Sequence, residues 1–116
     1  MIAFWVRKVC LGLPHTTESF QWGSLVFKVG GRIFAIAALE PGETCVTLKA
    51  PPERFAELIE REGVIPAPYL ARARWIALEQ DDAIPRPELK ELLTGSYEMV
   101  LAKLPRKTRD LWNPKR

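Results

Sequence analysis

Two consecutive glycines, Gly30-Gly31, separate two apolar runs at residues 25–29 and 33–39. No other feature restricts the fold of this chain as strongly. A glycine pair accepts the positive φ that a two-residue hairpin turn demands. The spacing therefore predicts an antiparallel hairpin, with Leu25, Phe27 and Val29 on one face and Lys28 on the other. The turn Glu40-Pro41-Gly42-Glu43 leads into a third strand at residues 44–49. There Val46 and Leu48 point one way and Cys45, Thr47 and Lys49 the other. Three strands joined by short turns make a meander whose apolar face needs a cover.

Helices supply it. Ile2, Trp5, Val6, Val9, Cys10 and Leu13 recur at helical spacing, and Gly12 with Pro14 stops that helix. Residues 14–24 read as a loop of turn formers that tucks Phe20 and Trp22 against the core. Pro51-Pro52 opens a second helix carrying Phe55, Leu58 and Ile59, which ends near Gly63. Residues 64–69 contain Pro66 and Pro68 and form an edge strand or an extended connector. Residues 74–79 form a further strand. The last helix begins near Pro87, shows Leu89, Leu92, Leu93, Tyr97, Val100, Leu101 and Leu104 at helical spacing, and stops or kinks at Pro105. The order α-β-β-β-α-(β)-β-α gives an α+β fold, one antiparallel sheet of four to five strands packed against helices. Residues 1–104 form a single domain and residues 105–116 a basic tail.

Composition excludes more than it selects. With 47% hydrophobic and 27% charged residues in 116, the chain buries a real core and is not a disordered one. Two Cys and one His fall short of a zinc site. No apolar run approaches a membrane span, and the start lacks the pattern of a signal peptide. A cytoplasmic protein with reduced Cys10 and Cys45, and without cofactor or metal, is the expectation. Net charge is +3, yet residues 103–116 hold six basic residues and one acid, so the other 102 residues sum to −2.

Catalytic chemistry finds little footing. His15 lies alone in a polar loop, and Cys10 falls on an apolar stripe. Cys45 shares a strand face with Lys49, an arrangement that would serve a reactive thiolate. Glu53/Glu57 and Asp81/Asp82 read as solvated pairs on a wet helix face and in a turn. Gly30-Gly31 lacks the surroundings of a phosphate loop. The basic residues are more suggestive. Lys28 and Lys49 should leave the open face of the meander, Arg32 follows the hairpin tip, and Arg72 and Arg74 lead into the late strand. Arg106 and Lys107 extend the set, while Trp22, Tyr69 and Trp75 could stack or wall a cleft.

The run Cys10-Leu11-Gly12-Leu13-Pro14, then Glu18-Ser19-Phe20-Gln21-Trp22-Gly23, then Val26-Phe27-Lys28-Val29-Gly30-Gly31-Arg32-Ile33-Phe34-Ala35 resembles the MmcQ/YjbR family. So do Thr47-Leu48-Lys49, Trp75, Ser96-Tyr97 and Ala102-Lys103-Leu104-Pro105-Arg106-Lys107. The resemblance implies a CyaY-like, frataxin-related fold and DNA binding, with hairpins acting as paired wings. Many relatives carry a polar His/Asn stretch before the late tryptophan, where this chain has Tyr69-Leu70-Ala71-Arg72-Ala73-Arg74; a basic role there survives that difference. Iron binding, which frataxins base on an acidic ridge, is not expected, because the first helix has no acid.

The resulting expectation is a small non-enzymatic protein that binds DNA weakly, through its backbone and with little base readout. One alternative is a module that holds a small anionic ligand or a protein partner in a cleft near Trp22, Lys28, Lys49 and Trp75. Another is a homodimer formed through an exposed sheet face or edge strand.

Overall fold

The computed structural model describes residues 2–68 and 70–112. Its elements are α1 (Ile2–Leu11), β1 (Thr16–Gln21), β2 (Ser24–Val29), β3 (Arg32–Ala38), β4 (Val46–Lys49), α2 (Phe55–Leu58), β5 (Val64–Pro66), β6 (Trp75–Leu78), α3 (Arg86–Ala102) and α4 (Arg106–Trp112). The six strands form one antiparallel sheet in the order β1-β2-β3-β4-β6-β5. The α+β class and the single sheet are as the alternation predicts, but the sheet holds six strands rather than four or five.

The added strand is β1, which replaces the expected loop. All six of its residues pair with β2, from Thr16↔Val29 to Gln21↔Ser24. Trp22 and Gly23 turn the chain with φ of 55° and 73°, the positive values a tight hairpin turn requires. β1 escapes sequence reading because an edge strand with little burial on either side shows no apolar alternation. For the same reason Phe20 and Trp22 are not tucked in. They are 67% and 76% exposed.

Alternation sets the core face. Phe27, Ala35, Leu48 and Ile76 lie in one row across the sheet, and Leu25, Ala37, Val46, Leu78 and Val64 in the next. α3 begins on Pro85, carries Glu88 in its first turn beside the positive helix end, and turns Leu89, Leu92, Leu93, Tyr97 and Val100 onto these rows. α1 covers the neighbouring part with Ile2, Ala3, Val6 and Cys10. Phe27 and Phe34 are fully buried, each contributing about 1.5–3 kcal/mol. The Tyr97 and Phe34 rings pack in a T-shape with centroids 5.4 Å apart, and the Tyr97 hydroxyl donates to the Pro14 carbonyl at 2.8 Å. That bond fixes the α1–β1 connection to α3.

A β-bulge shapes one end of the sheet. Between β2 and β3 the register steps from Phe27↔Ala35 to Lys28↔Ile33, so both Phe34 and Ala35 enter the core. The β3–β4 ladder stops at Ala35↔Leu48. Beyond it the buried Ser96 hydroxyl takes over, accepting from the Lys49 N–H at 3.0 Å and donating to the Phe34 carbonyl at 2.6 Å. A side chain of α3 thus bridges two strands where their own pairing has ended.

Three further differences concern the connections. The second helix is only the four-residue α2, since residues 51–54 are spent in turns. Arg74 does not begin the late strand. It closes a short 3₁₀ turn (Ala71–Ala73) with φ of 63°. Residues 106–112, expected as a basic tail, form α4 after Pro105 ends α3. No helix among the described residues is long and apolar enough to cross a membrane.

Candidate functional site

Sheet topology gathers the predicted basic residues at one end. The β2–β3 turn, the end of β4, the start of β6 and the last turn of α3 all meet there. Gly30 of the turn sits against Leu104, whose Cδ1 would lie 2.5 Å from a Cβ on that glycine. Lys28, Arg32, Lys49, Arg72 and Arg74 therefore share one end with Arg106 and Lys107, which open α4. Glu40, Glu43, Glu62, Glu79, Asp81 and Asp82 occupy turns at the other end. The molecule is electrically polarised along its strands.

Where β3 and β4 separate, a cavity of about 110 Å³ opens, lined by Arg32, Ile33, Lys49, Trp75, Val100 and Lys103. A larger depression of about 430 Å³ adjoins it, sharing Lys49 and Lys103 and adding Arg74, Pro52 and Met99. Four cations line the pair, and no carboxylate does. Among the described residues Arg32, Lys49, Arg74 and Lys103 make no ion pair. Burial holds the Lys49 ammonium below its ordinary pKa, and the neighbouring Lys103 ammonium adds to the effect. An anion seated between them would relieve that repulsion.

The contrast with the other arginines is informative. Arg7 holds Glu18 through Nε and Nη2 at 2.9 and 2.8 Å. Arg54 and Arg61 converge on Glu88 at 2.6–2.8 Å and also hold Glu57. That clamp lowers the Glu88 carboxyl to about 2 and also depresses Glu57, which is therefore a structural partner rather than half of an acid–base pair. Cations with carboxylate partners stabilise the fold, whereas Arg32, Lys49, Arg74 and Lys103 have none among the described residues.

Several predicted groupings come apart. Trp22 lies at the β1–β2 turn, the opposite end from Lys49, so no cleft unites Trp22 with Lys49 and Trp75. Trp75 does pair with Lys49 and walls the cavity. Tyr69 lies outside the described residues. Lys28 pairs with Ile33 beside the site without lining either depression. Lys103, which no sequence signal singles out, joins the site because the end of α3 meets the end of β4.

The thiols are not activated. Burial pushes the Cys10 thiol up to about 12. Cys45 donates to the Leu78 carbonyl at 3.4 Å, and burial together with Asp81 pushes it up to about 11. Its charged neighbour is Asp81, not Lys49. No group of three or more His, Cys, Asp or Glu among the described residues could hold a metal ion.

Comparison with known proteins gives one consistent answer. The family model described as YjbR matches residues 11–99. The Escherichia coli K12 protein YjbR is 28% identical over 106 residues, 88% of this chain and 89% of its own. The YbdF protein of Escherichia coli O157:H7 is 24% identical over 100 residues, 82% of this chain and 80% of its own. Among solved structures, the Deinococcus radiodurans protein DR2400 superposes with a TM-score of 0.77 at 31% identity, covering 93% of this chain and 85% of that one. A Pseudomonas syringae protein shares the fold, with a TM-score of 0.66 at 17% identity over 84% of this chain and 96% of that one.

Proposed function

The chain belongs to the YjbR family, and from that footing we propose that it is a non-enzymatic, cytoplasmic nucleic-acid-binding protein that grips the phosphate backbone with the basic end of its sheet. The observation that carries this reading is the set Arg32, Lys49, Arg74 and Lys103, four cations that line two adjoining hollows and have no acidic partner among the described residues. A cavity of about 110 Å³ accepts one phosphate group; small-molecule sites usually exceed about 300 Å³. Lys28, Arg72, Arg106 and Lys107 flank it and meet neighbouring phosphates. Binding is electrostatic, driven by counterion release, and α3 spends its stripe on the core rather than on base edges.

The test is fluorescence anisotropy with a random-sequence DNA duplex at several salt concentrations. Four phosphate contacts predict a log–log salt slope of about −3 to −5. A Lys49→Glu, Lys103→Glu variant should lose binding. Lys8→Glu, Lys90→Glu, which changes net charge equally in the α1–α3 groove, should retain it. Equal loss in both variants, or no binding of the parent at low salt, overturns the proposal. The larger depression favours a second reading, a small anion with an apolar body lying along both hollows. Backbone binding tightens with oligonucleotide length, whereas a small-anion site is indifferent to it.

A further inference from the structure

The two edges of the sheet are unequal. β5 is three residues long and contains Pro66, features that discourage pairing with another chain. β1 is six residues long, Thr-Thr-Glu-Ser-Phe-Gln, with no proline and no lysine. Its single charge, Glu18, is held by Arg7. Three exposed aromatics surround this bare edge: Phe20 on the strand, Trp22 at its turn and Phe4 on α1, at 67%, 76% and 63% exposure. α1 runs back past β1, so Phe4, one turn before Arg7, and Phe20, two residues past Glu18, lie on the same side of the Arg7–Glu18 ion pair. Taking about 200 Å² for each ring side chain, they expose roughly 400 Å² of largely apolar surface, within the roughly 300–600 Å² of the largest patch on a monomer, which is often a functional one.

We propose that this edge is a homodimer interface, in which β1 of two copies pair antiparallel about a two-fold axis and extend one sheet through both. The charge distribution selects a second copy as the occupant. β1 starts at the basic end, opposite Val29, and finishes at the acidic end, where Gly23 abuts the Glu40 carboxylate. Antiparallel self-pairing therefore sets the acidic end of each copy beside the basic end of the other. Trp22 and Glu40 of one copy approach Lys28 and Arg32 of its partner. A two-fold axis perpendicular to the sheet keeps the helices of both copies on one side, so residues of equal parity oppose each other. Centring on Glu18 would face two carboxylates and is disfavoured. Centring on Ser19 pairs Thr17 with Gln21 and sets the two Phe20 rings diagonally, within aromatic reach.

Sedimentation equilibrium of the full chain up to about 100 μM tests this, with Phe20→Glu as the variant. Phe20 is exposed, so the substitution leaves the thermal melt of the monomer nearly unchanged. The parent should populate a dimer, and Phe20→Glu should weaken association by about tenfold or more. Ser19→Cys should form a symmetric intermolecular disulfide under mild oxidation, because that residue opposes itself across the axis. Rising salt should weaken the dimer through the complementary ends. A parent that stays monomeric, a dimer indifferent to Phe20→Glu, or a Ser19→Cys chain that does not cross-link would each overturn the proposal.

Discussion

Replacing Ser96 with alanine should cost about 2–3 kcal/mol. The Ser96 side chain is fully buried and its hydroxyl makes two bonds, from the Lys49 N–H and to the Phe34 carbonyl. Both partners are backbone groups at the place where the β3–β4 ladder has ended. Alanine leaves them unpaired, and each buried orphan costs roughly 1–3 kcal/mol. Phe34 is wholly enclosed, so its carbonyl takes the larger share. Lys49 borders the cavity, where water can reach its N–H, so that share falls at the low end. Urea denaturation at constant slope should report the loss, and Tm should fall by roughly 8–12 °C. Hydrogen exchange should quicken at the Lys49 amide before it does at Leu48. Thr94 is the control, since its hydroxyl bonds only to the Lys90 carbonyl one turn back; Thr94→Ala should change stability by less than about 0.5 kcal/mol. A Ser96→Ala loss as small as that of Thr94→Ala, with Lys49 protection unchanged, would refute the role of Ser96 in holding the strands.

Two more predictions concern the hairpin tip and pH. Gly30 and Gly31 both have positive φ, but only Gly30 faces Leu104. Gly31→Ala should cost about 1–2 kcal/mol for the backbone alone, and Gly30→Ala about 2–4 kcal/mol once Leu104 must give way; equal losses in thermal melts would mean that Leu104 does not brace the turn. Glu88, lowered to about 2 from 4.5 by Arg61 and Arg54, contributes stability that is fully present above its unfolded pKa. That contribution fades as pH falls from about 4.5 toward 2, because the unfolded chain takes up the proton first. Chemical denaturation across that range should show the slope, and Glu88→Gln should flatten it; an identical profile in the variant would remove the clamp from the account.

The legible parts of the fold were those with a period. Gly30-Gly31 between alternating runs gave the hairpin, and the leucine spacing of α3 gave its length to within a residue or two. Lys28 alternates with the buried Phe27 as expected, but Lys49, expected on the open face, lines its cavity together with Val100 and Lys103 of the covering helix. β1 was illegible because its six residues are polar on one side and unburied on the other. Nothing local distinguishes such an edge strand from a loop. α2 is shorter than its apolar residues suggested, since Phe55, Leu58 and Ile59 can face the core from a single turn.

The site was legible residue by residue but not as a geometry. Arg32, Lys49 and Arg74 could be selected by their positions near a turn and two strand ends. Which of them converge was decided by the bulge at Phe34 and Ala35 and by the parting of β3 from β4. Lys103 carries no local signal that separates it from any other helix-terminal lysine. It enters the site because Val100 and Leu104 on either side of it are buried. Trp22 falls at the opposite end because it sits in the turn of a hairpin of its own, β1–β2, which no apolar alternation marks in the sequence.

The claim that the basic end meets nucleic acid is tested most directly by an amide-resolved NMR titration of the labelled protein with a short DNA duplex. The account predicts shift changes at residues 28–33, at Lys49, across residues 72–75 and at residues 100–107, shrinking together as salt is raised. Changes confined to Phe4, Phe20 and Trp22, to the acidic turns, or to no residue at all would contradict it.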